Sequence, residues 1–485
     1  MYRWGWREGS PPASVIAAEL AGRAVARAGP DALAFVTRER SLLLRFAANR
    51  PTQSTAIDDV TVELALVRHG QVGRATTNAV DDESLTACAR QAEGAAEAAA
   101  AAGDGSFAGF PEPQDAAPHR GHDRETARLD PERGGAALAS AFSVARDAGL
   151  EAHGIWTAAE EERAVATSGG ATAAERNTDA FMKVICIVPG TDAAAARRGG
   201  AATGDGGAAA GRSGYAAETS VAAGRIDARG LAERAAAKAA ASGAVAELEP
   251  GEYPVVFEPH GVGWLCDLLA LTAFNGLAHV EGRGALARRL GQVVAAPTIS
   301  LSDSPHSRGT LPRGFDAEGV PKAPLPLIQD GVAHRVVHDL RSAALAGANS
   351  TGHALAPGGH PHGPHPTNLV LAGGGMASEE ELCEGVERGI YITRLWYANV
   401  VRPKETLITA VTRDGTFLIE DGRITRPLRD LRLTDSVLGI LSRTRALTSE
   451  QKLTSDGEFY GRRFASGVVC PALLASAVRF TGTAG

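Results

Sequence analysis

Four histidines, His353, His360, His362 and His365, fall within "GHALAPGGHPHGPH". Imidazole ligates Zn, Cu or Ni, so this density raises metal binding as a possibility. The segment holds no carboxylate to serve as a base, and its Gly and Pro content reads as a flexible loop that takes metal only adventitiously. A second set begins in "EPHGVGWLCDLLALTAFNG" (258–276). His260 and Asp267 are seven apart and share one face if the segment is helical. His279 and Glu281 follow in the next loop. Together they read either as a rebuilt metal site or as a polar helix start and a polar loop. His334 and His338 lie in a predicted strand, where a spacing of four means one sheet face rather than a helical zinc pair. Asp316 and Glu318, in "FDAEGVP", are a carboxylate pair of the kind that does acid-base work; with Gly319 they read here as a turn that shapes a groove or a subunit contact.

Other chemistries find less support. The cysteines Cys88, Cys186, Cys266, Cys383 and Cys470 are odd in number and far apart, which argues against a disulfide framework and a Cys zinc finger and predicts free buried thiols. "GVGWL" (261–265) and "LAGGG" (371–375) are glycine-rich but continue into no phosphate-binding fingerprint. The chain has 485 residues and a formal net charge of -7 without a long Lys/Arg run, so no nucleic-acid surface is expected. No apolar stretch approaches the ~20 residues of a membrane span. The charged, Trp-containing opening "MYRWGWREGSPPAS" is unlike a signal peptide, and the expected compartment is the cytoplasm.

The elements that must position these residues are legible in outline. Ser10 as N-cap with Pro11 and Pro12 predicts a helix over 15–26. Strands are predicted at 33–37, 42–46, 60–67 and 72–77, the last two joined by a turn at His69-Gly70. Helices are predicted from Asp81 or Asp82 to about residue 100, at 131–148 and at 227–242. Strands are predicted at 152–158, 164–168 and 180–188. Residues 103–124 read as a loop and 192–214 as a low-complexity loop. The second half reads mainly as β, with Asp-Gly turns at 330, 414 and 421, a hairpin over 324–339, a three-strand meander over 406–428 and a last strand at 477–480. No strict internal repeat is visible. The fold class is α+β: an N-terminal α+β domain (1–245) with an antiparallel sheet and packed helices, and a β-rich C-terminal domain (246–485) dominated by curved antiparallel sheet.

Five segments in order carry a resemblance: "GRATTNAVDDESL" (73–85), "SGAVAELEPGEYPVVFEPHGVG" (242–263), "RGFDAEGVPKAPLPLIQDGVAHRVVHD" (313–339), "NSTGHAL" (349–355) and "ETLITAVTRDGTFLIEDGRI" (405–424). The chain resembles the TldD/PmbA family, which is linked to metalloprotease activity. The resemblance implies two kinds of subunit. The TldD type carries an HExxxH zinc motif on the helix after a Glu-Pro strand end, and the TldE type lacks it. Two imidazoles of such a motif hold Zn²⁺ while the Glu deprotonates the metal-bound water. Aligned on Glu258-Pro259, the first His falls on Asp267, the Glu on Leu268 and the second His on Thr272. A one-residue offset brings in Cys266 or Asp267 but no HExxxH. By resemblance this is a TldE-like subunit with no cofactor and no catalytic residue of its own. It would form a heterodimer with a TldD-like catalytic subunit that holds the zinc and acts on small or unfolded peptides. The alternative is a hydrolase in its own right with a rebuilt metal site.

Overall fold

The chain is described by a computed structural model over residues 14–101, 107–189, 213–241, 244–455 and 463–483. The predicted N-cap at Ser10 and most of the low-complexity stretch 192–214 lie outside the described residues.

The first half is built from one unit used twice. α1 (Ser14–Ala28) leads to β1 (Ala32–Ala47), β2 (Arg50–Arg68), β3 (Gln71–Thr77) and α2 (Asp82–Ala100). α3 (Pro131–Asp147) leads to β4 (Glu151–Thr167), β5 (Thr172–Ile187), β6 (Ser213–Ser220) and α4 (Ala228–Ala239). The six strands form one sheet in the order β3-β2-β1-β4-β5-β6, with β1 and β4 antiparallel at its centre. The repeat is therefore present in the structure although the sequence shows none. Asp81, Asp130 and Asp227 cap α2, α3 and α4 by accepting backbone N–H bonds, as Asp does at helix starts.

Two pairs of predicted strands are each one long strand. The charged runs 38–40 and 160–163 read as breaks, yet in the β1–β4 register Arg38 faces Glu162 and Arg40 faces Glu160. Arg40 Nη1 donates to Glu160 Oε2 at 2.9 Å and Arg38 Nη1 to Glu162 Oε1 at 3.4 Å, so the charges pair across the ladder instead of ending it. The even-numbered side chains of β1 and β4 pack under the helices: Val36 and Ala164 with α1 and α2, Leu42 and Trp156 with α3 and α4. Odd-numbered ones, including Phe35 and Val165, face the second half of the chain through Phe315 and Ala317.

Glu162 is 1% exposed and its Oε2 has no hydrogen-bond partner. Burial pushes its carboxyl up to about 7, against the pull of Arg38. A carboxyl raised in the fold contributes its stability below the unfolded value and loses it as pH climbs toward the folded one. Glu162→Gln should therefore gain on the wild type by about 1–2 kcal/mol between about pH 5 and pH 8, a figure discounted for partial hydration. Urea unfolding at both pH values reads this, and a pH-independent gap would show that the carboxyl titrates normally.

In the second half β7 (Gly251–Phe257) runs into α5 (Pro259–Thr272) and α6 (Gly276–Val280). One sheet comprises β8 (Leu301–Asp303), β9 (Leu325–Gln329), β10 (Val332–Ala333), β11 (Asn368–Leu371), β17 (Lys452–Thr454) and β18 (Gly467–Cys470). The other comprises β7, β12 (Arg388–Arg402), β13 (Leu407–Glu420), β14 (Arg423–Pro427), β15 (Leu431–Ser436), β16 (Thr444–Leu447) and β19 (Leu473–Thr483). In that second sheet β12 pairs with β7 and with β13, and β13-β15-β19-β7 completes a ring. The expected curved sheet is thus a small closed barrel, in which the β7–β12 pair is parallel. Closure leaves the ring strands without free edges.

The meander over 406–428 is corrected to a two-strand hairpin. Asp421-Gly422 turns the chain, but Asp414 stays within β13. Its carboxylate accepts from Arg394 Nε at 2.9 Å and from Ser213 Oγ at 2.8 Å, which holds the left-handed Asp414 as a local irregularity rather than a turn. Among the described residues, no helix is long and apolar enough to cross a membrane.

Candidate functional site

α5 begins at the Glu-Pro corner, with Glu258 as N-cap and Pro259 in its first turn, where proline's missing N–H costs nothing. The helix is apolar on nearly all sides because it is buried, packing on β12, β17 and β18. Glu258 is held tightly. Lys238 Nζ lies 2.6 Å from its Oε1, and Tyr391 and Thr393 donate hydroxyl bonds at 2.9 and 2.8 Å. Burial alone would push this carboxyl up; Lys238 and the hydroxyls of Thr393 and Tyr391 outweigh it and hold the group below the usual glutamate range.

Of the motif positions, Asp267 is exposed, Leu268 is buried, and Thr272 is buried with its Oγ1 donating to the Leu268 carbonyl at 2.9 Å. Leucine offers no donor and the threonine hydroxyl is already committed. These residues do not fit a zinc centre, and no step through a metal is derived from them. His260 and Asp267 do come together, in a cleft of about 50 Å³ shared with Lys183, Trp264 and Arg394. The His260 ring meets Tyr215 edge-on at 5.2 Å, and burial pushes its pKa down to about 4, so it is neutral at pH 7. The other half of the suggested rebuilt site is elsewhere. His279 lies on α6 rather than in a loop, and Glu281 pairs with Arg283. Among the described residues, no three His, Cys, Asp or Glu side chains are placed to hold a metal.

The histidine cluster splits. His360 and His362 meet with tilted rings, centroids 5.2 Å apart, beside a backbone run, Pro357 to Gly359, whose carbonyls accept from Arg74 of β3. His353 and His365 instead line a cavity of about 140 Å³ between the odd-numbered face of the first sheet and the 313–322 segment. His353 Nε2 is 3.2 Å from Asp303 Oδ1, and burial pushes His365 down to about 4. Asp303 is fully buried. Its Oδ2 accepts the Thr367 and Asn368 N–H groups at 2.8 and 2.9 Å, and its Oδ1 faces Lys322 Nζ at 3.4 Å.

Asp316 and Glu318 form the expected turn, with Gly319 left-handed and Asp316 Oδ1 accepting the N–H groups of Glu318 and Val320, both at 2.9 Å. Burial pushes Asp316 up to about 6 and Glu318 well above its ordinary value. The strand predicted through His334 and His338 ends at Ala333; Gly276 sits against His338, which is buried and near Ser342 Oγ at 3.2 Å. All five cysteines are free and buried. Sequence reasoning did not find Asp303, Arg313, Lys322 or Arg463, and nothing local marks them. Buried charges whose partners are distant in the chain leave no periodic signal.

The class, a metallopeptidase-like protein, is defined by two sequence profiles. Profiles of the PmbA/TldA metallopeptidase domain 1 and C-terminal domain match residues 32–96 and 250–482, and the chain belongs to the TldD/PmbA family. It is similar to a metalloprotease of Methanothermobacter thermautotrophicus, 26% identical over 204 residues, 42% of this chain and 44% of that one. It is also similar to a metalloprotease TldD homolog of Haemophilus influenzae, 27% identical over 244 residues, 48% and 49% of the two chains. The chain thus spans about half the length of the curated relatives it matches. The crystal structure of TldE from Thermococcus kodakarensis has the same fold, with a TM-score of 0.79 at 21% identity over 96% of this chain and 99% of that one.

Proposed function

We propose that this chain is the non-catalytic, TldE-like subunit of a two-subunit zinc metallopeptidase that acts on small or unfolded peptides in the cytoplasm. The observation that carries the reading is the motif helix. Asp267, Leu268 and Thr272 occupy the places where a TldD-type subunit would need His, Glu and His. A catalytic zinc needs about three protein ligands and an activated water, and that chemistry falls to the partner. This subunit closes the chamber, supports the catalytic chain and helps to hold an extended peptide, for which a sheet-edge strand such as β3 is suited by main-chain hydrogen bonding. The first-half and second-half units, 1–245 and 246–485, serve as its two domains. The meeting of His260 and Asp267 in one cleft favours a second reading, a hydrolase with its own rebuilt site.

Native mass spectrometry of the protein purified from its host, with metal counted on the same sample, separates the two. The expected result is a one-to-one complex with a second chain that keeps about one zinc on separation. Peptide hydrolysis should then need both chains and stop with a chelator. Hydrolysis by this chain alone, stopped by a chelator, would overturn the proposal and favour the second reading.

A further inference from the structure

Buried charges are ordinarily paired, since an isolated one is costly. Most cations around the 140 Å³ cavity obey this. Arg163 Nη1 lies 2.8 Å from Glu175 Oε1, Arg463 Nε donates to Asp179 Oδ1 at 3.0 Å, and Lys322 faces Asp303. Arg313 does not. It is 6% exposed, its Nη2 donates to the Ala465 carbonyl, and its guanidinium lies 4.4 Å over the Phe464 ring. Glu161, Glu175 and Asp179 act on it only through space. A guanidinium has five N–H donors, so this single bond leaves most of its capacity uncommitted where it lines the cavity. Glu161 is likewise 6% exposed, and among the described residues no ion pair or hydrogen bond holds its carboxylate. Both side chains line the main cavity, and both line a smaller one of about 10 Å³ beside it. Two buried opposite charges thus face a common space without joining.

We propose that this cavity binds a free α-amino acid with a small apolar side chain. Its carboxylate pairs with Arg313 in the two-bond geometry that guanidinium favours. Its ammonium group goes to Glu161, and its side chain lies among Phe35, Phe315 and Phe464. The volume fits: a cavity of roughly 150 Å³ accepts benzene, which admits a valine-sized body and excludes an indole. The lining disfavours competing ligands. His353 and His365 are lowered toward neutrality by burial, so they add no positive charge. Glu161 and Asp316 in the wall oppose a dianion such as phosphate. Phe464 is 42% exposed and marks the mouth. The inference stands whether or not the chain has a catalytic partner. In a peptidase assembly a free amino acid is an end product, so the cavity would report product level.

The test is calorimetric titration of the full chain with L-valine, isovalerate and isobutylamine, each matched by a thermal shift. Saturable L-valine binding is expected, at least tenfold tighter than either single-charge analogue. Arg313→Met and Glu161→Gln should each weaken it tenfold or more. Variant folding is checked by circular dichroism, with Arg313→Lys as the milder replacement. Absence of L-valine binding to the wild type overturns the proposal. So does equal affinity for isovalerate, which would make this a plain carboxylate site, and so does undiminished binding by the folded variants.

Discussion

Glu258→Ala is expected to lower the free energy of unfolding by about 3 kcal/mol. The side chain is 13% exposed and Lys238 is 19% exposed, so the pair is largely withdrawn from water. Truncation leaves the Lys238 ammonium with only the Tyr215 carbonyl, at 3.1 Å, and strands the hydroxyls of Tyr391 and Thr393. Lys238 belongs to α4 of the first half, while Tyr391 and Thr393 belong to β12 of the barrel. One carboxylate therefore ties the two halves together. Glu258→Gln, which keeps acceptor capacity but no charge, should fall between the two. The wild-type contribution is present above the ordinary glutamate range and is lost as pH falls through the depressed folded value. Urea melts at neutral pH decide the matter, and a loss below about 1 kcal/mol would show that the pair contributes no more than an exposed one.

Gly73→Val is expected to cost about 3 kcal/mol or more through overpacking. A Cβ at Gly73 would stand 2.0 Å from the Ala92 carbonyl oxygen and 2.2 Å from the Ala96 nitrogen, so β3 lies directly on the backbone of α2. No rotamer relieves a contact with backbone, and the helix must move. Gly214 of β6 makes the equivalent approach to α4, with the Ala235 carbonyl oxygen at 2.1 Å, and Gly214→Val should behave alike. Gly94 on α2 has nothing within 4 Å of its would-be Cβ. Gly94→Ala should instead stabilise by up to about 1 kcal/mol through helix propensity. Thermal unfolding of the three variants checks the contrast, and tolerance of valine at Gly73 would mean that strand and helix are not in close contact.

The family and the α+β class were legible because they rest on local signals: the Glu-Pro corner, the capping aspartates, the Asp-Gly turns at 330 and 421, and ordered segments spread along the chain. What was hidden depends on distant partners. The runs 38–40 and 160–163 look like loops until each is laid against the other. Asp414-Gly415 looks like a hairpin turn until Arg394 and Ser213 are seen to hold the aspartate. The histidine cluster looked like one candidate site, but its members divide between a cavity wall and a segment held by Arg74. The cavity itself gathers Glu161, Arg313 and Arg463, which are far apart in the chain, and no window along the sequence contains them together.

The doubled unit of the first half carries a consequence for ancestry. Because β1 and β4 run antiparallel at the sheet's centre, the two units are related much as two identical chains are in a symmetric dimer. A half-length ancestor bearing only α1, β1, β2, β3 and α2 would complete the same sheet by meeting a second copy of itself. In this chain the first unit extends Arg74 to the carbonyls of residues 357–359 and the second extends Lys238 to Glu258, so that each unit grips a different part of the chain that follows.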